Sequence, residues 1–298
     1  MVEFAVISEG RNQLGEVPLW CERAQTLWWV DVIACTLHRF EPSSGRTHRT
    51  AVGGGRLGSI ALRDDGGLLL ATSEGIDVYD PQCETQTYFT GRSQLAPAQR
   101  YNDGRCDRQG RFWVGSMNES ITPGGSLYRV DADGSMTHFL SDIIVPNSIA
   151  FSPDGRFFYF ADTRRFTIWR FDLDRDSGAI SNRTVFAQTA GRPGRPDGSC
   201  VDSEGFLWNA EYAGGQIVRY APDGRIDRVV SLPLTHPTSV CFGGAAMDTL
   251  FITSGSMHLT EETASSEPLA GAVLAIRVGV KGLPESRFGG PFQAGEKS

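Results

Sequence analysis

The chain has 298 residues, is 40% hydrophobic and contains 35 glycines, which is enough to bury one large core or two medium ones. Its net charge of -7, with no basic block, argues against nucleic acid as the main partner, and no apolar run is long enough to span a membrane. The six cysteines lack any CxxC pair and the five histidines show no HExxH pattern, so neither set reads as a zinc motif.

The opening MVEFAVISEGRNQLGE has neither a basic start nor a long apolar stretch, so a cytoplasmic location is expected. Within it, FAVIS (4–8) is an isolated strand. Six aromatic or aliphatic strands follow: LWWVDV from Leu27, LLLATSE from Leu68, FWVGSM from Phe112, FFYFADT from Phe157, FLWNAEY from Phe206 and TLFITSG from Thr249. Their starts lie 41 to 49 residues apart. The turns RDDG, DRQG, SPDG and DSEG stand ahead of four of them. Further strands follow most members, such as TLHRFEP then THRTAV, or TIWRFDL then RTVFAQ. Helical periodicity is nearly absent.

Six repeats of about four short strands predict an all-β, six-bladed β-propeller that occupies residues 1–298 as one domain. The last repeat has three clear strands. FAVIS is therefore expected to supply its fourth and close the ring.

The first strand of each blade lines a propeller's channel. Counting back ten residues from Leu68, Phe112, Phe157 and Leu207 reaches Gly58, Asn102, Asn147 and Asp197. Glu16 and Thr238 are the nearest matches in the first and last repeats. The ring thus holds carboxylates and amides at one end of the channel. Two close carboxylates need a cation or a proton between them. Oxygen donors without nitrogen or sulfur suit a hard divalent ion, Ca²⁺ first, with Mg²⁺ or Mn²⁺ next and Zn²⁺ or Fe²⁺ less favoured. Asn and Asp also cap turns routinely, and that reading stands for any single position.

The segments LGEVPLW (14–20), RYNDGRCDRQGRFWVGSM (100–117), VPNSIAFSPDGRFFYFADT (145–163) and RPDGSCVDSEGFLWNAEYAGGQIVRY (195–220) together resemble the senescence marker protein/gluconolactonase family, which includes regucalcin and bacterial sugar lactonases. LTEETASSEPLAGAVLAI (259–276) is similar to the closing segment of bacterial aldonolactonases. The resemblance implies the same propeller and one divalent metal held by Glu16, Asn147 and Asp197. It implies contacts from Arg100 and Asn102 to substrate or to metal-associated water. It places Glu119 as either a substrate contact or a surface-loop residue. Glu211, in WNAEY, departs from the family's uncharged pattern. The implied activity is hydrolysis of an aldonolactone, the metal polarising the lactone carbonyl and Asp197 acting as general base, or as ligand alone. The implied partner is a small sugar lactone, with no nucleic acid, membrane or obligate protein partner. The alternative is a non-catalytic metal-binding or scaffolding propeller. Asp103 is expected to stabilise an NDG turn, and Tyr101 and Trp113 to pack in the core. The loops 91–101, 117–125 and 255–270 are expected to set substrate choice.

Overall fold

A computed structural model describes residues 4–8, 10–260, 263 and 265–289. Among the described residues, twenty-four strands make six four-stranded antiparallel sheets. Strand β1 (Ala5–Ser8) stands apart in sequence. Blade 1 is β2 (Gly15–Cys21), β3 (Thr26–Asp31), β4 (Thr36–Glu41) and β5 (Arg46–Ala51). Blade 2 is β6 (Leu57–Leu62), β7 (Leu68–Thr72), β8 (Gly75–Asp80) and β9 (Thr85–Thr90). Blade 3 is β10 (Gln99–Cys106), β11 (Phe112–Asn118), β12 (Gly125–Val130) and β13 (Met136–Ile143). Blade 4 is β14 (Pro146–Phe151), β15 (Phe157–Asp162), β16 (Thr167–Leu173) and β17 (Ile180–Gln188). Blade 5 is β18 (Arg195–Val201), β19 (Leu207–Tyr212), β20 (Gln216–Tyr220) and β21 (Ile226–Ser231). Blade 6 is β22 (Pro237–Gly243), β23 (Thr249–Ser254) and β24 (Val273–Arg277), completed by β1 in the order β1-β24-β23-β22. The isolated FAVIS strand therefore closes the ring as expected, with Ala5 opposite Ala275.

The turn glycines that mark the repeats are required by backbone geometry. Gly66, Gly110, Gly155 and Gly205 have φ of 93°, 79°, 69° and 86°, a region that L side chains resist. The first residue of the turn does equal work. Asp107 accepts the Gln109 and Arg111 amides on Oδ1 and the Trp113 indole N–H on Oδ2. Asp202 repeats this with Glu204, Phe206 and Trp208. One acid thus shapes the turn and anchors the aromatic strand that follows it.

The faces of adjacent blades meet in apolar layers. Between blades 3 and 4, Trp113 packs on Phe139, Phe151 and Phe158, all of them except Phe139 fully enclosed or nearly so. Burying each such ring contributes about 2–3 kcal/mol. Cys106, Cys200 and Cys241 are buried on the inner strands, and burial pushes their thiols up and keeps them protonated. That state suits packing rather than nucleophilic attack.

One end of the channel is covered by the segment 281–289. Ser203 N donates to Lys281 O, Gly282 N to Met247 O and Phe288 N to Leu62 O. Arg105 on β10 reaches 3.5 Å to Glu285 of that segment. The ring of polar residues at the starts of the inner strands faces the opposite end. Among the described residues no helix is long and apolar enough to cross a membrane.

Candidate functional site

A register shift marks the ring position in every blade. The ladder slips at Glu16/Leu19, Leu57/Ser59, Tyr101/Gly104, Asn147/Ala150, Pro196/Ser199 and Pro237/Ser239. Such a bulge re-aims the side chains beside it. Asp197 lies inside β18. One expectation is corrected. The NDG sequence is strand β10 rather than a turn, and Asp103 is buried there with Oδ2 accepting the Ile149 amide of the next blade at 2.9 Å.

The loops entering two of these strands are held by carboxylates at the end of the neighbouring strand. Asp31 accepts the Gln13 and Leu14 amides just before Glu16. Asp162 accepts the Ile144 and Val145 amides just before Asn147. Glu211 stands in the equivalent register, opposite Pro196, just before Asp197. Its longer side chain instead accepts from the Tyr220 hydroxyl at 2.8 Å and lies 3.8 Å from Arg192. Glu211 is therefore enclosed within blade 5 rather than part of the ring of donors.

Asn147 is oriented from both ends. Its Nδ2 donates to Thr163 Oγ1 at 2.8 Å, and that hydroxyl donates to Pro196 O, also at 2.8 Å. Its Oδ1 accepts from Asn102 Nδ2 at 3.2 Å. The Asp197 carbonyl accepts from Ser148 Oγ and Asn209 Nδ2. Asp197 Oδ1 is buried and has no hydrogen-bond partner among the described residues.

Electrostatics follow from this enclosure. Burial, reinforced by Asp103, raises Glu16 from 4.5 to about 8, against the Val17 amide and Arg100. Burial raises Asp103 to about 6. Asp197 is pushed well above the carboxylate range, by burial first and then by Glu16 and Asp103. A buried oxygen without a partner, among carboxyls that resist ionising together, is the environment a cation relieves. Among the described residues no three His, Cys, Asp or Glu side chains are grouped at metal-ligand spacing. Two carboxylates, Glu16 and Asp197, and the amide oxygen of Asn147 offer only oxygen donors, a chemistry that suits a hard divalent ion.

Arg100 is buried beside this centre. Its Nη1 donates to Asn102 Oδ1 at 2.6 Å and to Tyr101 O at 3.0 Å. Its Nε lies 3.7 Å from Glu119, which also contacts Arg56 at 3.1 Å. Burial lowers Arg100 to about 10 against the pull of Glu119, so it keeps its charge at neutral pH. Gly58 and Thr238 supply no donor to the centre. A Cβ on Gly58 would lie 2.1 Å from Tyr101 O. Thr238 Oγ1 donates to Gly15 O, tying blade 6 to blade 1. Tyr101 and Trp113 are fully buried, as expected of core residues.

Three residues that sequence reasoning passed over gather at the rim. Tyr212 and His236 have ring centroids 5.0 Å apart, and His258 lies 6.0 and 5.7 Å from them. His236 precedes the ring residue Thr238 by two positions, a signal the count of isolated histidines hid. Within the expected substrate loop 255–270, residues 261, 262 and 264 lie outside the described residues.

The fold is a six-bladed propeller whose inner strands begin with a ring of mostly oxygen-bearing side chains. The SMP-30/Gluconolactonase/LRE-like region model matches residues 14–256, and the chain belongs to that family. It is 37% identical to a 6-deoxy-6-sulfogluconolactonase of Pseudomonas putida, covering 93% of this chain and 95% of that protein. It is 34% identical to a pentonolactonase of Haloferax volcanii, covering 92% and 94%. The crystal structure of a calcium-binding protein, regucalcin, from Agrobacterium tumefaciens superposes with a TM-score of 0.92 at 31% identity, covering 96% of this chain and 97% of that one.

Proposed function

We propose that the protein is a sugar lactonase that opens an aldonolactone to the aldonic acid, the whole chain 1–298 acting as one domain. Two relatives that match nearly end to end bear lactonase names. The observation that carries the reading is the unpartnered, buried Asp197 Oδ1 within the charge field of Glu16.

Glu16, Asn147 and Asp197 would hold one divalent ion, with Ca²⁺ the ion that an all-oxygen set favours. When bound, such an ion supplies positive charge against the negative charge that develops on the lactone carbonyl oxygen. The remaining work falls to the side chains. Asp197 accepts a proton from water as the water oxygen attacks the carbonyl carbon. The ring C–O bond then breaks, and Asp197 returns the proton to the departing oxygen, which becomes a hydroxyl. Asn102, held by Arg100, orients water or substrate. Arg100 and Glu119 present a donor and an acceptor to sugar hydroxyls.

The test is acid release from freshly prepared aldonolactones in a pH-stat, repeated after EDTA and after single ions are restored. Metal-restored hydrolysis supports the reading and identifies the ion. The second reading is a non-catalytic ion-binding propeller, favoured by the likeness to a protein described as calcium-binding. Tight ion binding without hydrolysis of any lactone would select it.

A further inference from the structure

Two cations flank the acid centre without an acid of their own. Arg195 stands two residues before Asp197 on β18. Arg164 follows Thr163, the residue that orients Asn147 and bonds Pro196 O. Other arginines nearby are engaged: Arg56 and Arg100 with Glu119, Arg165 with Asp142 at 2.7 Å, and Arg192 with Glu211. Among the described residues, neither Arg164 nor Arg195 has a carboxylate at ion-pair distance, and the guanidinium of Arg195 lies 5.8 Å over the Phe166 ring. Stacking of that kind holds the plane while leaving its N–H edge free. Tyr212, opposite Arg195 in the ladder, links the two regions. Its phenol is within electrostatic reach of Asp197, Arg195, Glu16 and Arg164. His236 packs against it at a tilt and His258 edge-on.

We propose that Arg164 and Arg195, with Tyr212, His236 and His258, form an anion subsite at the channel rim. The preferred substrate is then a lactone carrying a fixed oxo-anion (phosphate, sulfonate or carboxylate) at the end remote from its ester carbonyl. This inference rests on the lactonase reading above. The planar fork of arginine matches the oxygens of an oxo-anion, whereas the hydroxyls of a neutral sugar leave the charge of a guanidinium uncompensated. An anionic lactone must also approach Glu16 and Asp197 on a chain of net charge -7. Cations at the rim offset that repulsion.

The experiment compares kcat/KM for unsubstituted gluconolactone with that for its 6-phosphate, its 6-deoxy-6-sulfonate and the corresponding 6-carboxylate lactone. The proteins are the wild type, Arg164→Gln, Arg195→Gln and the double variant, each loaded with its working ion. The wild type should favour at least one anionic lactone, and the largest ratio identifies the anion. The ratio of anionic to neutral kcat/KM should fall about 10-fold for each arginine and about 100-fold in the double variant. In the wild type it should also fall when salt rises from ~0.05 to ~0.5 M, a readout independent of any substitution. A wild-type ratio near one, or a ratio unmoved by both the double substitution and salt, overturns the subsite while leaving the lactonase standing. Failure of the wild type to open any lactone overturns the lactonase reading itself, and the subsite with it.

Discussion

Raising the pH over metal-free protein should destabilise it through Glu16. Its carboxyl is lifted from 4.5 to about 8, chiefly by burial. The folded state therefore retains a proton that the unfolded chain releases between those two values. The associated stability is complete below 4.5, declines as pH rises, and is gone above 8. At about 1.4 kcal/mol per pH unit, the gap amounts to about 5 kcal/mol. Water entering the ion-free site screens the charge, so this is a ceiling. With an unfolding entropy of ~2.1 cal/mol/K per residue, a chain this long should lose up to roughly 8 °C in Tm. The assay is thermal unfolding in EDTA at about pH 5 and about pH 9, for the wild type and Glu16→Gln. The wild type should lose more stability than the variant over that interval, and an excess of divalent ion should remove most of the difference. Equal losses in the two proteins would refute the claim that Glu16 is an enclosed, strained carboxyl.

Three further outcomes are expected. Asp197→Ala should lower kcat by about 10²–10⁴-fold in the acid-release assay, and normal turnover would exclude Asp197 as both base and ligand. Asp103→Asn removes a charge that raises both Glu16 and Asp197 while leaving an oxygen for the Ile149 amide. Its rate loss should be smaller than that of Asp197→Ala, and the carboxyl ¹³C titration of Glu16 should shift to lower pH. Gly58→Ala places a methyl 2.1 Å from Tyr101 O, so the denaturation midpoint should fall by the equivalent of about 3 kcal/mol or more.

The repeat count, the blade number and the ring-closing role of FAVIS were all legible along the chain. These features arise from local physics. Aromatic strands of period two and turns needing a glycine at positive φ recur every 41 to 49 residues, and any stretch of the chain displays them. The positions of Glu16, Asn102, Asn147 and Asp197 were readable for the same reason, because each stands at a fixed count from a turn glycine or an aromatic strand.

What faces what was decided by the tertiary structure. The bulge at each ring position moved Asp103 out of an imagined turn and into the buried acid centre, since one extra residue in a strand redirects its neighbours. Glu211 and Asp162 occupy equivalent registers, yet one extra methylene turns Glu211 towards Tyr220 while Asp162 caps a loop. Tyr212 ends a strand of blade 5, His236 precedes the first strand of blade 6 and His258 lies in a loop, and they meet because blade 5 packs against blade 6. Sequence determined the repeating unit because hydrogen bonding and turn strain act over a few residues. The site required the closed ring, because burial, charge coupling and rim contacts depend on residues from different blades that no local pattern relates.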